Sequence, residues 1–439
     1  MLRTLFFFAE MTVLMPFVLA RPFAGILLWS WFSFMNPHRL MWGPESDMPW
    51  AMIVICATMV GCVVAREPKR FPVNPVTIMI ILFIAMFSFG TIFAMAGSDE
   101  VLPKYTWVLK VYGVALLTAA MLNSRLRIHA LIWVMVLSLA FFGIKGGGFT
   151  LLTGGTSRVW GPPGTMITDN NHVGAALLVC LPLMNYLRLQ SAHRMVRLGL
   201  AAAMVLTTFA VVGTYSRGAL VGLVAVTLFL WMKSSKKLAS GIAILAVAIA
   251  ALAFMPSQWG ERMNTIQTYE QDGSAESRIQ LWTDAWTMAI HRPLTGVGFS
   301  GTYSRNVADR IAPGLMARAI HSIYFECLAE QGFPGFFIWL GITVAGWITA
   351  QRIIREAKNT AGLEWAVDLA RMSQCSIIAY LTAGTFLSLS YWDFYFTMLV
   401  AIGATRAQVL LTLGKADRRT WARAAPAQPP LAVPGIAAG

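Results

Sequence analysis

Stretches apolar enough to cross a bilayer follow one another along almost the whole chain, separated by short polar connections. A helix needs about 20 apolar residues to span the hydrocarbon core. Such stretches lie near 49–65, 74–96, 103–121, 128–145, 169–187, 195–213, 218–232, 239–255, 322–350, 370–389 and 392–413. Residues 4–36 are apolar too, broken by Glu10, Arg21 and Pro22, and read as one kinked span or a tight pair. The chain is 57% hydrophobic and 12% charged, with a mean hydropathy of +0.63. Soluble domains carry roughly 25% charged residues, so the bilayer is the solvent for most of this chain. Leu5 to Ala20 runs on into more apolar chain with no small-residue cleavage site, which argues against a signal peptide.

Positive charge sets the orientation. Arg66/Lys69/Arg70, Arg125/Arg127, Arg188/Arg194/Arg197, Lys233/Lys236/Lys237, Arg352/Arg355/Lys358 and Lys415/Arg418/Arg419 fall in alternate connections, which are expected to be cytoplasmic. The net charge of +14 is explained by these loops, so no nucleic-acid partner is implied. The connections 37–48, 97–102, 146–168, 214–217, 256–320 and 390–391 are then external. The pattern closes if residues 4–36 cross an odd number of times, and one crossing gives twelve spans with both termini inside. The expected fold is an all-α integral membrane protein of about 12 transmembrane helices, with a large helical loop between helices 9 and 10. Its parts are helices 1–9 in 1–255, the loop 256–320, helices 10–12 in 321–413, and a disordered cytoplasmic tail over 414–439, Ala/Pro-rich from Ala424. The five cysteines lie in apolar stretches with no metal-binding spacing and read as small buried hydrophobes.

The external loops carry the chemistry. In 256–320, Leu281, Ala285, Met288 and Ala289 recur at helical spacing with Trp282 and Trp286 alongside, predicting an amphipathic helix on or near the membrane. The loop holds Arg262, Arg278, Arg292, Arg305, Arg310 and Arg318, six acids, and no lysine. Guanidinium grips phosphate oxygens through paired hydrogen bonds, although any one of these arginines taken alone also fits a surface ion pair. Arg217 sits in Gly213-Thr214-Tyr215-Ser216-Arg217-Gly218, between two spans with almost no loop. A full charge at that depth marks a functional site or a side chain reaching for head groups. Arg158 occupies another external loop. His321 stands where the long loop enters a span, followed by Tyr324, Glu326 and Glu330. Its imidazole can accept a proton near neutral pH. Helical spacing puts His321 and Tyr324 on one face and turns Glu326 elsewhere. Gly146-Gly147-Gly148 and Gly154-Gly155 bracket a hairpin-like stretch that lacks a phosphate-loop ending. A mobile segment there is one reading. No HExxH, external Asp-x-Asp or G-x-S-x-G occurs, so no metal and no serine nucleophile is expected.

Four stretches, in order and all on the external side, resemble the O-antigen ligase / O-antigen polymerase family of bacterial membrane glycosyltransferases. They are Ser216-Arg217-Gly218; Ser277 to Trp282 with Pro293 to Gly298; His321 to Tyr324 with Glu330 to Gly335; and Gly161 to Pro182, with Asp169-Asn170-Asn171. The resemblance covers residues 146–340 and, in topology, the flanking spans. It implies a multi-pass protein of the bacterial inner membrane, its site facing the periplasm. The implied donor is a glycan on undecaprenyl diphosphate. The acceptor is the lipid A core in ligases, another repeat unit in polymerases, and a protein hydroxyl in relatives.

The expected mechanism is a metal- and cofactor-independent, inverting transfer. His321 is the base, Arg217 and Arg278 stabilise the departing diphosphate, and Arg158, Tyr324, Asn170, Asn171, Arg318 and Arg305 bind substrate. An O-antigen ligase is favoured. A polymerase, a protein O-oligosaccharyltransferase and a non-catalytic lipid-glycan transporter are the alternatives. The transporter is disfavoured because the arginines sit at one face rather than along a midplane path, and Glu10 is the one evident early intramembrane acid.

Overall fold

A computed structural model describes residues 2–41, 43–233, 254–264 and 273–414, with isolated positions between 237 and 249. The span read at 239–255 and the tail read at 415–439 lie largely outside the described residues. Among those described, the chain is helical with no strand. The helices are α1 (Leu2–Ala20), α2 (Pro22–Met35), α3 (Trp50–Val64), α4 (Pro75–Ile92), α5 (Ser98–Met121), α6 (Arg125–Leu152), α7 (Asn170–Gln190), α8 (Arg194–Gly213) and α9 (Arg217–Lys233). They continue as α10 (Ser257–Asn264), α11 (Gly273–His291), α12 (Arg305–Ile311), α13 (Ile323–Ala357), α14 (Glu364–Gly384) and α15 (Asp393–Thr412). Six of them, α4, α6, α7, α8, α13 and α15, are long and apolar enough to cross a membrane, and α1, α2, α3 and α9 are shorter apolar helices. The chain is a multi-pass membrane protein.

Helix starts follow local capping chemistry. Asn74 accepts from the N–H groups of Val76 (3.0 Å) and Thr77 (3.1 Å), while Thr77 Oγ1 accepts from the Asn74 N–H, ahead of Pro75. Asp169 caps α7 through the Asn171 N–H at 2.8 Å. Ser216 caps α9 through the Ala219 N–H at 3.2 Å.

Residues 4–36 form a pair rather than one span. The chain turns at Arg21, and Pro22, with no N–H to give, opens the second helix. Phe7 and Phe32 meet at 5.9 Å, both beside Trp50, while a Cβ on Gly25 would strike Val18 Cγ1 at 2.8 Å. The two helices therefore run antiparallel. The count of twelve rested on an odd number of passages here and does not follow.

The connections segregate as the charge pattern predicts. At one end Asn123 Nδ2 donates to Pro68 O (3.0 Å), Gln408 Nε2 to Asn123 O (3.0 Å) and Gln190 Nε2 to Asp368 (2.9 Å), and Arg127 pairs with Glu67. At the other end the Val159 N–H donates to Gly213 O (2.9 Å) and Arg292 Nη2 to Phe93 O (2.6 Å).

The Gly146–Gly148 run is not a loop. α6 continues through it to Leu152, because glycine there lets α8 approach. A Cβ on Gly147 would meet Leu206 O at 2.0 Å, and one on Gly143 would meet Thr207 Oγ1 at 2.2 Å. Small-residue seams of this kind hold helices together in lipid, where no hydrophobic force acts between them. Of the cysteines, Cys180, Cys327 and Cys375 are buried as expected, whereas Cys56 is exposed and Cys62 half-buried.

Candidate active site

α13 is one element to the eye and two in backbone. Gly332 has φ 67° and ψ −175°, so the helix breaks there. The break frees the carbonyls of Ala329 and Glu330, which accept from the N–H groups of Val297 (2.8 Å) and Gly298 (3.1 Å), while the Phe333 N–H donates to Pro293 O (2.9 Å). The Pro293–Gly298 and Glu330–Gly335 motifs thus grip one another backbone to backbone. A Cβ on Gly332 would lie 2.6 Å from Pro293 O, and one on Gly296 2.4 Å from the Glu330 carbonyl carbon. Those glycines are required by closeness as well as by positive φ.

The grip fixes α11 on the first half of α13. Leu281, Ala285, Met288 and Ala289 are buried against Val307, Ile320 and Ala329, as their spacing predicted. Trp282 stacks on Phe325 at 5.5 Å and reaches Phe386 at 6.2 Å. Phe386 in turn lies 3.3 Å from the place a Cβ on Gly218 would take. Phe386 thus lies between Trp282 on α11 and the start of α9, and Arg278 stands one turn before Trp282.

His321 precedes α13 in a left-handed conformation, φ 53°. It is therefore not on a helical face with Tyr324, as the spacing suggested. Its N–H donates to Ser388 Oγ at 3.0 Å. Left-handed backbone at a non-glycine residue costs of order 1–3 kcal/mol and persists where surroundings impose it. Burial lowers its pKa from 6.5, aided by the charges of Arg278 and His172, with Asp169 and Glu326 opposing. Arg278, His172 and Asp169 are accordingly within electrostatic range of this imidazole. Burial acts to raise the Asp169 pKa, but hydrogen bonds from His172 and from the N–H and amide of Asn171 hold it well below the usual carboxylate range.

The turn before Arg217 is anchored at each residue. Gly213 O accepts from Val159 N–H, and Thr214 O from Asn170 Nδ2 at 2.7 Å. Tyr215, at φ 59°, donates its hydroxyl to Gly155 O at 2.6 Å and accepts at its carbonyl from Arg262 Nε at 3.0 Å. The Arg158 guanidinium lies over the Tyr215 ring at 5.7 Å. Three helix N-termini, those of α7, α9 and α13, meet in this region, and their positive dipole ends favour an anion.

The other expected site residues divide. Asn170 is buried as the strut to Thr214, and Asn171 is held by Asp169 at 2.8 Å. Tyr324 donates to Leu381 O at 2.9 Å, inside the bundle. Arg305 is committed to Asp309 and to Leu315 O (2.9 Å), and Arg318 is exposed beside Met316. Sequence reasoning missed His172, Asp169 as a charge partner, and the strut Arg262. It also missed Lys104, which pairs with Glu326 (2.9 Å) and Glu330 (2.8 Å). Ser390 and Tyr391 complete that buried cluster by donating to the same two carboxylates. Glu326 is thus turned away from His321 as a hydrogen-bond partner, as its spacing indicated.

A bundle of apolar helices long enough to cross a bilayer defines a polytopic membrane protein. Residues 202–340, which contain Arg217, Arg278 and His321, match the model of the O-antigen ligase family. Over that segment the match supports the resemblance read from the sequence, to a family of ligases and polymerases that act on lipid-linked glycans. Residues 2–192 match a family of unknown function. A search of the curated proteins gave no match.

Proposed function

We propose that this protein is an O-antigen ligase, transferring a glycan from undecaprenyl diphosphate to a hydroxyl of the lipid A core at the periplasmic face of the inner membrane. The observation that supports the reading is that Arg278 stands within electrostatic range of His321, whose burial in the Ser388-anchored turn biases the imidazole toward its neutral, proton-accepting form. The acceptor oxygen attacks the anomeric carbon as its proton passes to His321. The bond from that carbon to the diphosphate oxygen breaks, and the lipid diphosphate leaves with the electron pair. Arg278 and Arg217 stabilise the charge that builds there, assisted by the dipoles of α7, α9 and α13. A single displacement inverts the anomeric centre. Guanidinium groups fill the place a divalent cation takes in other diphosphate chemistry, so the reaction is metal-independent.

The test is purified protein in lipid with undecaprenyl diphosphate-linked glycan and separate acceptors: lipid A core, further donor, or a protein. Transfer to lipid A core, undiminished by EDTA, is expected. Transfer only to further donor marks a polymerase, transfer only to protein an oligosaccharyltransferase, and a strict Mg²⁺ requirement overturns the metal-free step.

A further inference from the structure

At the end of the bundle opposite His321, a cavity of about 640 Å³ opens between the start of α4, α13 and α15. Its polar lining is Arg70, Asn74, Thr349 and Arg406, its other walls are apolar, and among the described residues no acid lines it. Two donors there are unspent: Asn74 Nδ2 and Arg406 Nε are buried and make no hydrogen bond among the described residues. Arg406 Nη2 reaches Glu356 Oε1 at 3.5 Å, a long contact that leaves Glu356 Oε2 without a partner. Buried donors without acceptors are unfavourable, so a cavity lined by two residues that carry them, with a second guanidinium alongside, suits an acceptor-rich anion. Arginine suits phosphate oxygens. The volume is that of a small-molecule site, far more than an inorganic phosphate fills, and the walls from Phe71, Val73 and Leu410 suit hydrocarbon. The position fits as well, since this end carries the positively charged connections. Basic pockets between membrane helices on the cytoplasmic side take lipid head groups.

We infer that this cavity seats the phosphodiester head group of an anionic glycerophospholipid, bound by Arg70, Asn74 and Arg406. The bound lipid tethers α4 to α13 and α15 at the end of α13 remote from His321. The inference is independent of the transfer reaction.

The test is native mass spectrometry of the full chain released from nanodiscs of phosphatidylglycerol mixed with phosphatidylcholine, with thermal unfolding in each lipid. Wild-type protein is expected to retain phosphatidylglycerol in preference to phosphatidylcholine and to unfold at a higher temperature in it. At about 1 kcal/mol per arginine near the surface, Arg406→Gln should weaken retention about fivefold, and Arg70→Gln with Arg406→Gln about twenty-five-fold. Glu356→Gln added to Arg406→Gln avoids stranding a partly buried carboxylate and should lose the lipid equally while folding normally. Equal retention of the two lipids overturns the inference, as does undiminished phosphatidylglycerol retention in the folded double-arginine variant. Stabilisation by inorganic phosphate matching that by phosphatidylglycerol also overturns it, and assigns the cavity to a free anion.

Discussion

Asn170 Nδ2 donates to the Thr214 carbonyl at 2.7 Å, joining residues 44 positions apart that belong to separate motifs. The bond ties the capped start of α7, with Asp169 and His172 in electrostatic range of His321, to the turn that precedes Arg217. Asn170→Ala strands a buried carbonyl, at a cost of about 1–3 kcal/mol. It should lower the unfolding temperature and the transfer rate together. Asn171→Ala, whose contacts are local to Asp169, should lower the unfolding temperature less. Thermal unfolding and initial transfer rates of the two variants check this, and equal behaviour would remove the strut role.

The acid limb of the pH–rate profile follows from His321. The base must be neutral, and burial with the Arg278 charge keeps its folded pKa below 6.5. Activity should therefore persist below pH 6.5 and fall only as pH drops through the lowered value. Arg278→Gln removes one depressing charge and leaves burial in place, so in residual activity the limb should move up toward 6.5. Stability carries the same sign. The unfolded chain takes up this proton at higher pH than the folded one, so this residue's contribution is full above 6.5 and declines as pH falls through the folded pKa. A limb unmoved in Arg278→Gln would separate the two groups.

Gly332→Ala should be severe. The residue sits at φ 67° with Pro293 O 2.6 Å and Gly296 N 2.8 Å from the added Cβ, and backbone cannot yield as a side chain can. Conformational strain alone costs about 1–3 kcal/mol. Gly148→Ala, inside α6 with nothing within 4 Å of its Cβ position, should be neutral or gain up to about 1 kcal/mol of helix propensity. Melting curves of the purified pair decide it, and a wild-type melt for Gly332→Ala would contradict the backbone grip.

Lys104→Met leaves Glu326 and Glu330 buried together without their cation. Removing one partner of a buried pair costs about 3–5 kcal/mol. Adding Glu326→Gln and Glu330→Gln should recover most of that loss, because the Ser390 and Tyr391 hydroxyls still find acceptors. No recovery in the triple variant would mean that the charge itself holds α5 to α13.

Much of this arrangement was legible because it is periodic or local. The apolar stretches, the alternating basic connections and the 281–289 face of α11 each follow from spacing along one segment. The pairing of α1 with α2 was left open because Arg21-Pro22 permits either a kink or a turn, and what decides it is α3 packing through Gly25 and Gly61. The Gly146–Gly148 run misled for a related reason. Three glycines weaken an isolated helix, yet Gly146 and Gly147 are what let α6 touch α8. Lys104 meets its acids across 222 and 226 positions, with no signal in its own segment. Tyr324 was misplaced because the helix begins after His321, at a left-handed residue that spacing cannot reveal.

Transfer by folded His321→Ala, in single turnover with undecaprenyl diphosphate-linked glycan and lipid A core, tests the account most directly. Loss of a general base should slow the chemical step by about 10²–10⁴-fold, with the unfolding temperature and donor binding kept. Transfer near the wild-type rate in that variant would contradict the assignment of His321 as the base.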